Sequence, residues 1–395
     1  MLSSYLPLIR RPGARTFLLG SAIGRLGGAM FGISVVAMIS TRTGSYALAG
    51  AVSACGLVVL ALSAVVLGRL IDRFGQRRIT APLIVWSTVW GIATVLCSML
   101  GAPRWTLFVT YAVSAVVANV GTMSRARWSH LLADEPGLLH TAMSAEQVID
   151  ELSFVLGPAI AIGLSTLLFP EAGFIAATAC YAIGTAIFLT ARSTEPPLHE
   201  GAHEPTALAV RNPAILVLTA ALFMTGCIFG GNEVTAIAVS KEQGQPSAAG
   251  LIVAIFAVGS TIAGLWFGHR GLRGSLATAL VVGTAGMFLL EAPVLAVHSL
   301  IAIGAVLFVA GAATAPTLII SMQLAQKLVP ARQVNEAMSV VLTGLIIGIA
   351  AGSAVSGRVI EDHGGNSGFA VPVVAGGIAC LLAILGRPLL TKRTA

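Results

Sequence analysis

Four ionisable side chains stand inside stretches that are otherwise apolar: Arg25, Asp150, Glu151 and Glu233. A charge in hydrocarbon is costly, and it survives there when it is paired, faces water or serves a function. Arg25 lies about nine residues into the run that opens near Thr16, and Asp150 and Glu151 about seven or eight residues into the run that opens near Met143. If both runs are helices entered from the same side, a rise of about 1.5 Å per residue brings the three to one depth. Arg25 is therefore expected to pair with Asp150 or Glu151. Neighbours on a helix point about 100° apart, so only one of the two acids can face the arginine well. The other is left as a candidate proton carrier. A static ion pair that fixes helix packing is the alternative reading. Glu233 follows Gly231-Asn232 nearer the far end of its run, where it either attracts a cation, carries a proton or sits on an outer rim. Glu291 is expected to be peripheral.

A second concentration of charge is Gly68-Arg69-Leu70-Ile71-Asp72-Arg73-Phe74-Gly75-Gln76-Arg77-Arg78, with long apolar runs on both sides. Such a turn must face water at a membrane surface. Gly68 permits close packing where one helix ends, Gly75 permits a tight turn, and Asp72 can sit against a helix N-terminus, where the dipole favours an anion.

The elements that must position these groups follow from composition. The chain has 395 residues, 56% of them apolar and 10% charged, with a mean hydropathy of +0.91. Soluble domains hold about 25% charged residues, so this is an integral membrane protein. The first apolar run is longer than a signal-peptide core and lacks a cleavage site after it. The alternation of an outer-membrane barrel is absent. The net charge of +7 comes without the basic stripe interleaved with aromatics that nucleic acid would require, so no nucleic-acid partner is expected. The five cysteines all fall in apolar runs with no CxxC pair and read as free core residues. His199 and His203, with two glutamates nearby, read as solvated linker rather than a metal site. No metal or other cofactor is expected.

A span needs roughly 20 apolar residues. On that rule the chain is all-α with twelve membrane helices, near 16–40, 46–69, 79–101, 104–123, 143–169, 171–191, 213–239, 247–268, 275–297, 299–323, 336–360 and 369–387. With the N-terminus inside, 18 of the 23 lysines and arginines fall in cytoplasmic segments, Arg125 and Arg127 among them. Both termini are then cytoplasmic. The proline-rich, charged stretch 192–212 reads as a cytoplasmic linker between an N-terminal bundle, 1–191, and a C-terminal bundle, 213–395. The halves repeat: Arg11-Pro12 parallels Asn212-Pro213, Ala49-Gly50 parallels Ala249-Gly250, Gly28-x3-Gly32 parallels Gly226-x3-Gly230, and Ala142-Met143-Ser144 parallels Ala337-Met338-Ser339, at offsets of 201, 200, 198 and 195. Two parallel six-helix halves describe a secondary transporter with its site at mid-membrane between them. Gly344-x3-Gly348-x3-Gly352 and Gly264-x3-Gly268 let helix backbones approach closely.

The stretch Gly68-x3-Asp72-Arg73-x-Gly75-x-Arg77-Arg78 resembles the loop 2–3 signature of the major facilitator superfamily, with Gln76 where that family often has arginine. The resemblance covers essentially the whole chain and implies that superfamily's fold, two pseudo-symmetric six-helix bundles. It also implies a conformational gate, with Gly68, Asp72, Arg73, Gly75, Arg77 and Arg78 facing the start of the eleventh span. There Asn335 is expected to cap the helix, followed by Glu336. The matching second-half stretch, from Gly264 to Arg273, keeps the glycines and basic residues and lacks the acid. Gly157-Pro158 with Gly163 in the fifth span resembles, in part, the glycine-rich motif of the superfamily's antiporters; a plain kink is the alternative. The interior arginine that its drug antiporters often carry in the fourth span is missing from the span as drawn, 104–123.

The helices that line the cavity in that superfamily offer Ser34, Ser114, Asn119, Asn232 and Thr317 as their main polar groups, with Ser21, Thr225, Thr314 and Gln323. So sparse a set suits an amphiphilic substrate better than a sugar. The expected function is secondary active transport by alternating access, driven by protons and exporting small amphiphilic organic molecules or drugs. Uptake of a small metabolite by proton symport or facilitated transport is the alternative. No H-E-x-x-H, G-x-S-x-G or Walker A run is present, so no enzyme is expected. The expected partners are a small-molecule substrate, protons and the lipid of a bacterial inner membrane, with the chain acting as a monomer.

Overall fold

The computed structural model describes residues 5–197, 208–245, 248–270 and 274–391, the side chains of Tyr46 and Ala47 excepted. His199, His203, the second-half turn at Gly271–Arg273, and Lys392 and Arg393 lie outside them. The regular structure among the described residues is helical throughout. In chain order it comprises α1 (Leu6–Arg10), α2 (Ala14–Thr43), α3 (Tyr46–Phe74), α4 (Gln76–Met99), α5 (Arg104–Ser114), α6 (Val120–Leu131) and α7 (Pro136–Leu167). It continues with α8 (Ala172–Thr190), α9 (Pro213–Glu242), α10 (Ala248–Arg270), α11 (Leu276–Glu291), α12 (Leu300–Lys327), α13 (Val334–His363) and α14 (Ala370–Thr391). Among the described residues, eleven helical runs are long and apolar enough to cross a bilayer.

The fourth expected span departs from the reading 104–123. It is two pieces, α5 of 11 residues and α6 of 12, separated at residues 115–119. Asn119 makes the break, because its side chain accepts a hydrogen bond from the Thr122 amide at 3.1 Å and so caps a new helix. That helix runs on to Leu131 and carries Arg125 and Arg127 with it, 2% and 0% exposed. These two arginines are thus buried helix residues, contrary to their expected place in a water-facing segment. The helix that continues the fourth expected span does hold buried arginine.

The described residues fall into two compact units. One takes in Tyr5, residues 134–148 and residues 208–391; the other takes in residues 6–133 and 149–197. In the first unit α13 lies along α9 on its glycine stripe. A Cβ added at Gly344, Gly348 or Gly352 would strike the backbone of Thr219, Phe223 or Cys227, and one at Gly226 or Gly230 would strike Leu345 or Ile349. In the second unit α2 meets α8 the same way, Gly20 and Gly27 against the backbones of Phe188 and Tyr181, and Gly184 against Gly24. Small residues inside and large apolar residues outside, such as Leu62, Ile301 and Leu385, are what helices packed in lipid require. The turn between α3 and α4 is made by Gly75, whose φ of +93° is strained for any other residue and whose amide donates to the Ile71 carbonyl at 2.9 Å.

Candidate functional site

The charges expected to meet do so in the second unit. Arg25 Nη1 on α2 donates to Asp150 Oδ1 on α7 at 3.0 Å. Arg125 Nη2 on α6 donates to Asp150 Oδ2 at 2.6 Å. One carboxylate therefore holds two guanidinium groups, one on each oxygen. The arginine side chains are 6% and 2% exposed, while the aspartate side chain keeps 22%. The acid is the open member of the cluster. Asp150 is thus a partner of Arg25, as expected for one of the two acids, and its neighbour Glu151 is itself buried. Charge-assisted bonds of this kind are worth about 1.5–3 kcal/mol each, and removing one side of a buried pair costs about 3–5 kcal/mol. The cluster ties three helices to one carboxylate.

Arg125 was missing from the expected site because the hydropathy window ended the fourth span at residue 123. The signal that would have found it is Asn119, a cap after which Arg125 stands six residues on, well inside a fresh helix.

Two positions beyond Arg125, Arg127 points to the opposite side of α6. Its Nη1 donates to the carbonyls of Phe188 and Ala191, both at 3.0 Å, and to Thr194 Oγ1 at 2.8 Å. It thereby satisfies carbonyls at the end of α8 that the helix leaves open, and a cation there suits the helix dipole. Its guanidinium also lies 3.8 Å from the centre of the Phe188 ring. Arg127 Nε donates to Gln76 Oε1 at 2.8 Å, and Gln76 Nε2 donates to the Met123 carbonyl at 3.1 Å. Gln76 is 3% exposed. The substitution of glutamine for the signature's arginine has a local reason: this position must accept from Arg127 and donate to Met123. An arginine has no acceptor.

In the rest of the charged turn, Gly68 is buried and Asp72 half-buried, while Arg73, Arg77 and Arg78 are exposed. Arg73 lies over the Phe74 ring at 5.1 Å. The Arg77 amide, at the start of α4, donates to Glu195 Oε1 at 3.0 Å. The beginning of the expected linker is thus fastened at Thr194 and Glu195. The eleventh span begins at Val334, with Gln333 in the cap position, so Asn335 lies inside the first turn and does not cap it. Glu336, 2% exposed, accepts from the Ala209 amide at 2.9 Å through Oε1.

Gly157 faces α2, where an added Cβ would meet the Ala29 Cβ at 2.9 Å. Pro158 follows inside an unbroken α7, and Gly163 has nothing within 4 Å of the place a Cβ would take. Three of the polar residues expected to line the cavity spend their hydrogens locally. Ser34 donates to the Phe31 carbonyl at 3.0 Å, Ser114 to Tyr111 at 2.7 Å and Thr317 to Ala313 at 2.8 Å. Asn119 caps α6. Asn232, in the first unit, donates through Nδ2 to Glu291 Oε1 at 2.5 Å. Glu291 is 1% exposed, which overturns its expected peripheral place: it closes α11 where that helix packs inside its unit. Glu233 is exposed.

Comparison with known proteins agrees with this architecture. The model of the Major Facilitator Superfamily matches residues 17–244 and 221–394. The chain is 26% identical over 403 residues to an uncharacterized MFS-type transporter, y4rN, of Sinorhizobium fredii (strain NBRC 101917 / NGR234), covering 96% of each. Among solved structures it resembles the human organic anion transporter MFSD10 (TETRAN), with a TM-score of 0.69 at 15% identity, covering 97% of this chain and 99% of that one. It also resembles a bacterial homologue of the iron transporter ferroportin in an outward-facing state, with a TM-score of 0.72 at 16% identity, covering 94% and 98%. At such identities these structures speak for the fold alone. With matching family segments that together run from residue 17 to residue 394, the chain belongs to the Major Facilitator Superfamily.

Proposed function

We propose that this transporter couples proton movement to the export of small amphiphilic organic molecules, with Asp150 as the proton carrier. The observation behind the reading is the buried cluster itself, in which two guanidinium groups converge on one carboxylate that retains 22% exposure. Protonating Asp150 removes the charge that holds α2 and α6 to α7, so proton binding weakens contacts among three helices at once. A proton then acts as a ligand with different affinity for two arrangements of the helices, as coupling demands. The sparse hydroxyl and amide groups favour an amphiphilic cargo over a sugar. Arg25 and Arg125 steady the acid, while Gly157, Pro158 and Gly163 give α7 local freedom. The charged turn, Asp72 above all, sets the rate of switching.

A second reading, uptake of a small anionic metabolite by proton symport, is favoured by the two guanidinium groups on one acid. Purified protein in vesicles with a trapped pH dye separates the two. On addition of substrate outside, an antiporter moves protons out and the lumen turns alkaline, whereas a symporter acidifies it. Tetraphenylphosphonium and ethidium serve as lipophilic cations and benzoate as the anion. Alkalinisation by the cations supports export by antiport. Cargo movement with no change in lumen pH contradicts proton coupling in either direction.

A further inference from the structure

The unit containing residues 208–391 carries a buried carboxyl of a different kind. Glu291 is 1% exposed, and its polar partner is the amide of Asn232, itself 4% exposed. Asn232 Nδ2 donates to Glu291 Oε1, yet Asn232 Oδ1 is buried with no hydrogen-bond partner. Among the described residues no cation pairs with the acid. Against α11 pack α12, α14 and the turn 292–296, and the titratable residues on these are Lys327, Cys380 and Arg387. Lys327 ends α12. Arg387 Nη2 donates to Thr278 Oγ1 at 3.1 Å, 13 residues before Glu291 on α11, or about 20 Å along the helix axis. On α9, Asn232 has Cys227, Glu233, Lys241 and Glu242 as titratable companions. Lys241 is exposed, and Glu242 accepts from the Gly365 amide at 2.7 Å. Among the described residues no basic group forms a salt bridge with Glu291.

An ionised carboxylate here would be a buried charge with no counter-charge, beside a carbonyl oxygen that it can only repel. Both difficulties end with one proton. A carboxylic acid has one O–H donor and keeps an acceptor, and a primary amide offers the complementary pair. The acid accepts from Nδ2 on one oxygen, as observed, and donates to Oδ1 from the other. We propose that Glu291 and Asn232 form a second proton-binding site, a neutral acid–amide pair in the unit that lacks the arginine cluster. The assignment does not depend on Asp150 carrying a proton. Opening of α9 from α11 would break the pair and leave Glu291 free to release its proton.

Infrared difference spectroscopy of the full chain in lipid tests this without any knowledge of cargo. The wild type at neutral pH is expected to show the carbonyl stretch of a protonated carboxyl, and E291Q to lose that band. The thermal midpoint of E291Q should stay near that of wild type, because its amide offers Asn232 the same donor and acceptor. Should E291Q fail to fold, N232L carries the test: the acid loses its amide partner and the band moves to higher frequency. A band that survives E291Q, or one that does not move in N232L, overturns the proposal. So does a wild type without the band, and so does a thermal midpoint raised by sodium chloride and not by choline chloride, which would make the pair a sodium site.

Discussion

Asp150 and Glu151 are neighbours with the same chemistry, and their surroundings separate them. Asp150 accepts from two arginines and keeps part of its surface open, while Glu151 is buried. Asp150→Asn is accordingly expected to abolish substrate-driven proton flux in vesicles, and Glu151→Gln to leave more than half of it. Equal loss in both variants would mean that the two acids act as one site. At Gln76 the prediction concerns stability. Restoring the family's arginine with Gln76→Arg would bury a second cation against Arg127 and strip Arg127 of an acceptor. A loss of about 3 kcal/mol or more is expected, read as a lowered unfolding midpoint, and an unchanged midpoint would contradict the network. Sequence reasoning reached Arg25 and Asp150 because charge in an apolar run is conspicuous and helical rise sets depth. It missed Arg125 and the burial of Glu291, since both depend on which neighbouring helix covers a side chain.

Among the elements, the broken fourth span is the plainest departure from expectation. Eleven runs were legible because their apolar lengths exceed what a bilayer requires. The fourth fails that test because it is broken into pieces of 11 and 12 residues, and α6 carries buried Arg125 and Arg127, whose partners include Asp150 on α7, Gln76 on α4 and the Phe188 carbonyl on α8. Asn119 marks the break, and Asn119→Ala should cost about 1 kcal/mol through the lost cap. The glycine stripe of α13 was also legible, and its partner was not. Gly348→Ala would drive a methyl group into the Phe223 carbonyl on α9, so a marked fall in thermal midpoint is expected. Gly163→Ala is the control, since nothing lies near its Cβ, and the better helix propensity of alanine should leave stability equal or raised by up to about 1 kcal/mol. If that variant nonetheless slows transport, Gly163 has a role in motion; if it transports normally, the antiporter-like motif reduces to Gly157 and Pro158.

For the whole molecule, near-constant offsets between the halves and the Gly68–Arg78 signature made superfamily membership readable, and the family match over residues 17–244 and 221–394 shows it. Cargo was not readable in the same way, because the cavity candidates are few, and the hydroxyls of Ser34, Ser114 and Thr317 bond their own helices. The charged turn belongs to this scale: Asp72→Asn should slow transport several-fold while insertion and substrate binding remain, and failure of insertion would reduce the turn to a topology signal. The proposal that one acid couples proton to cargo is tested most directly by comparing two fluxes in the same vesicles, net proton movement driven by tetraphenylphosphonium and exchange of labelled for unlabelled tetraphenylphosphonium. Asp150→Asn is predicted to lose the first and keep the second. Proton movement in that variant equal to wild type would contradict the account.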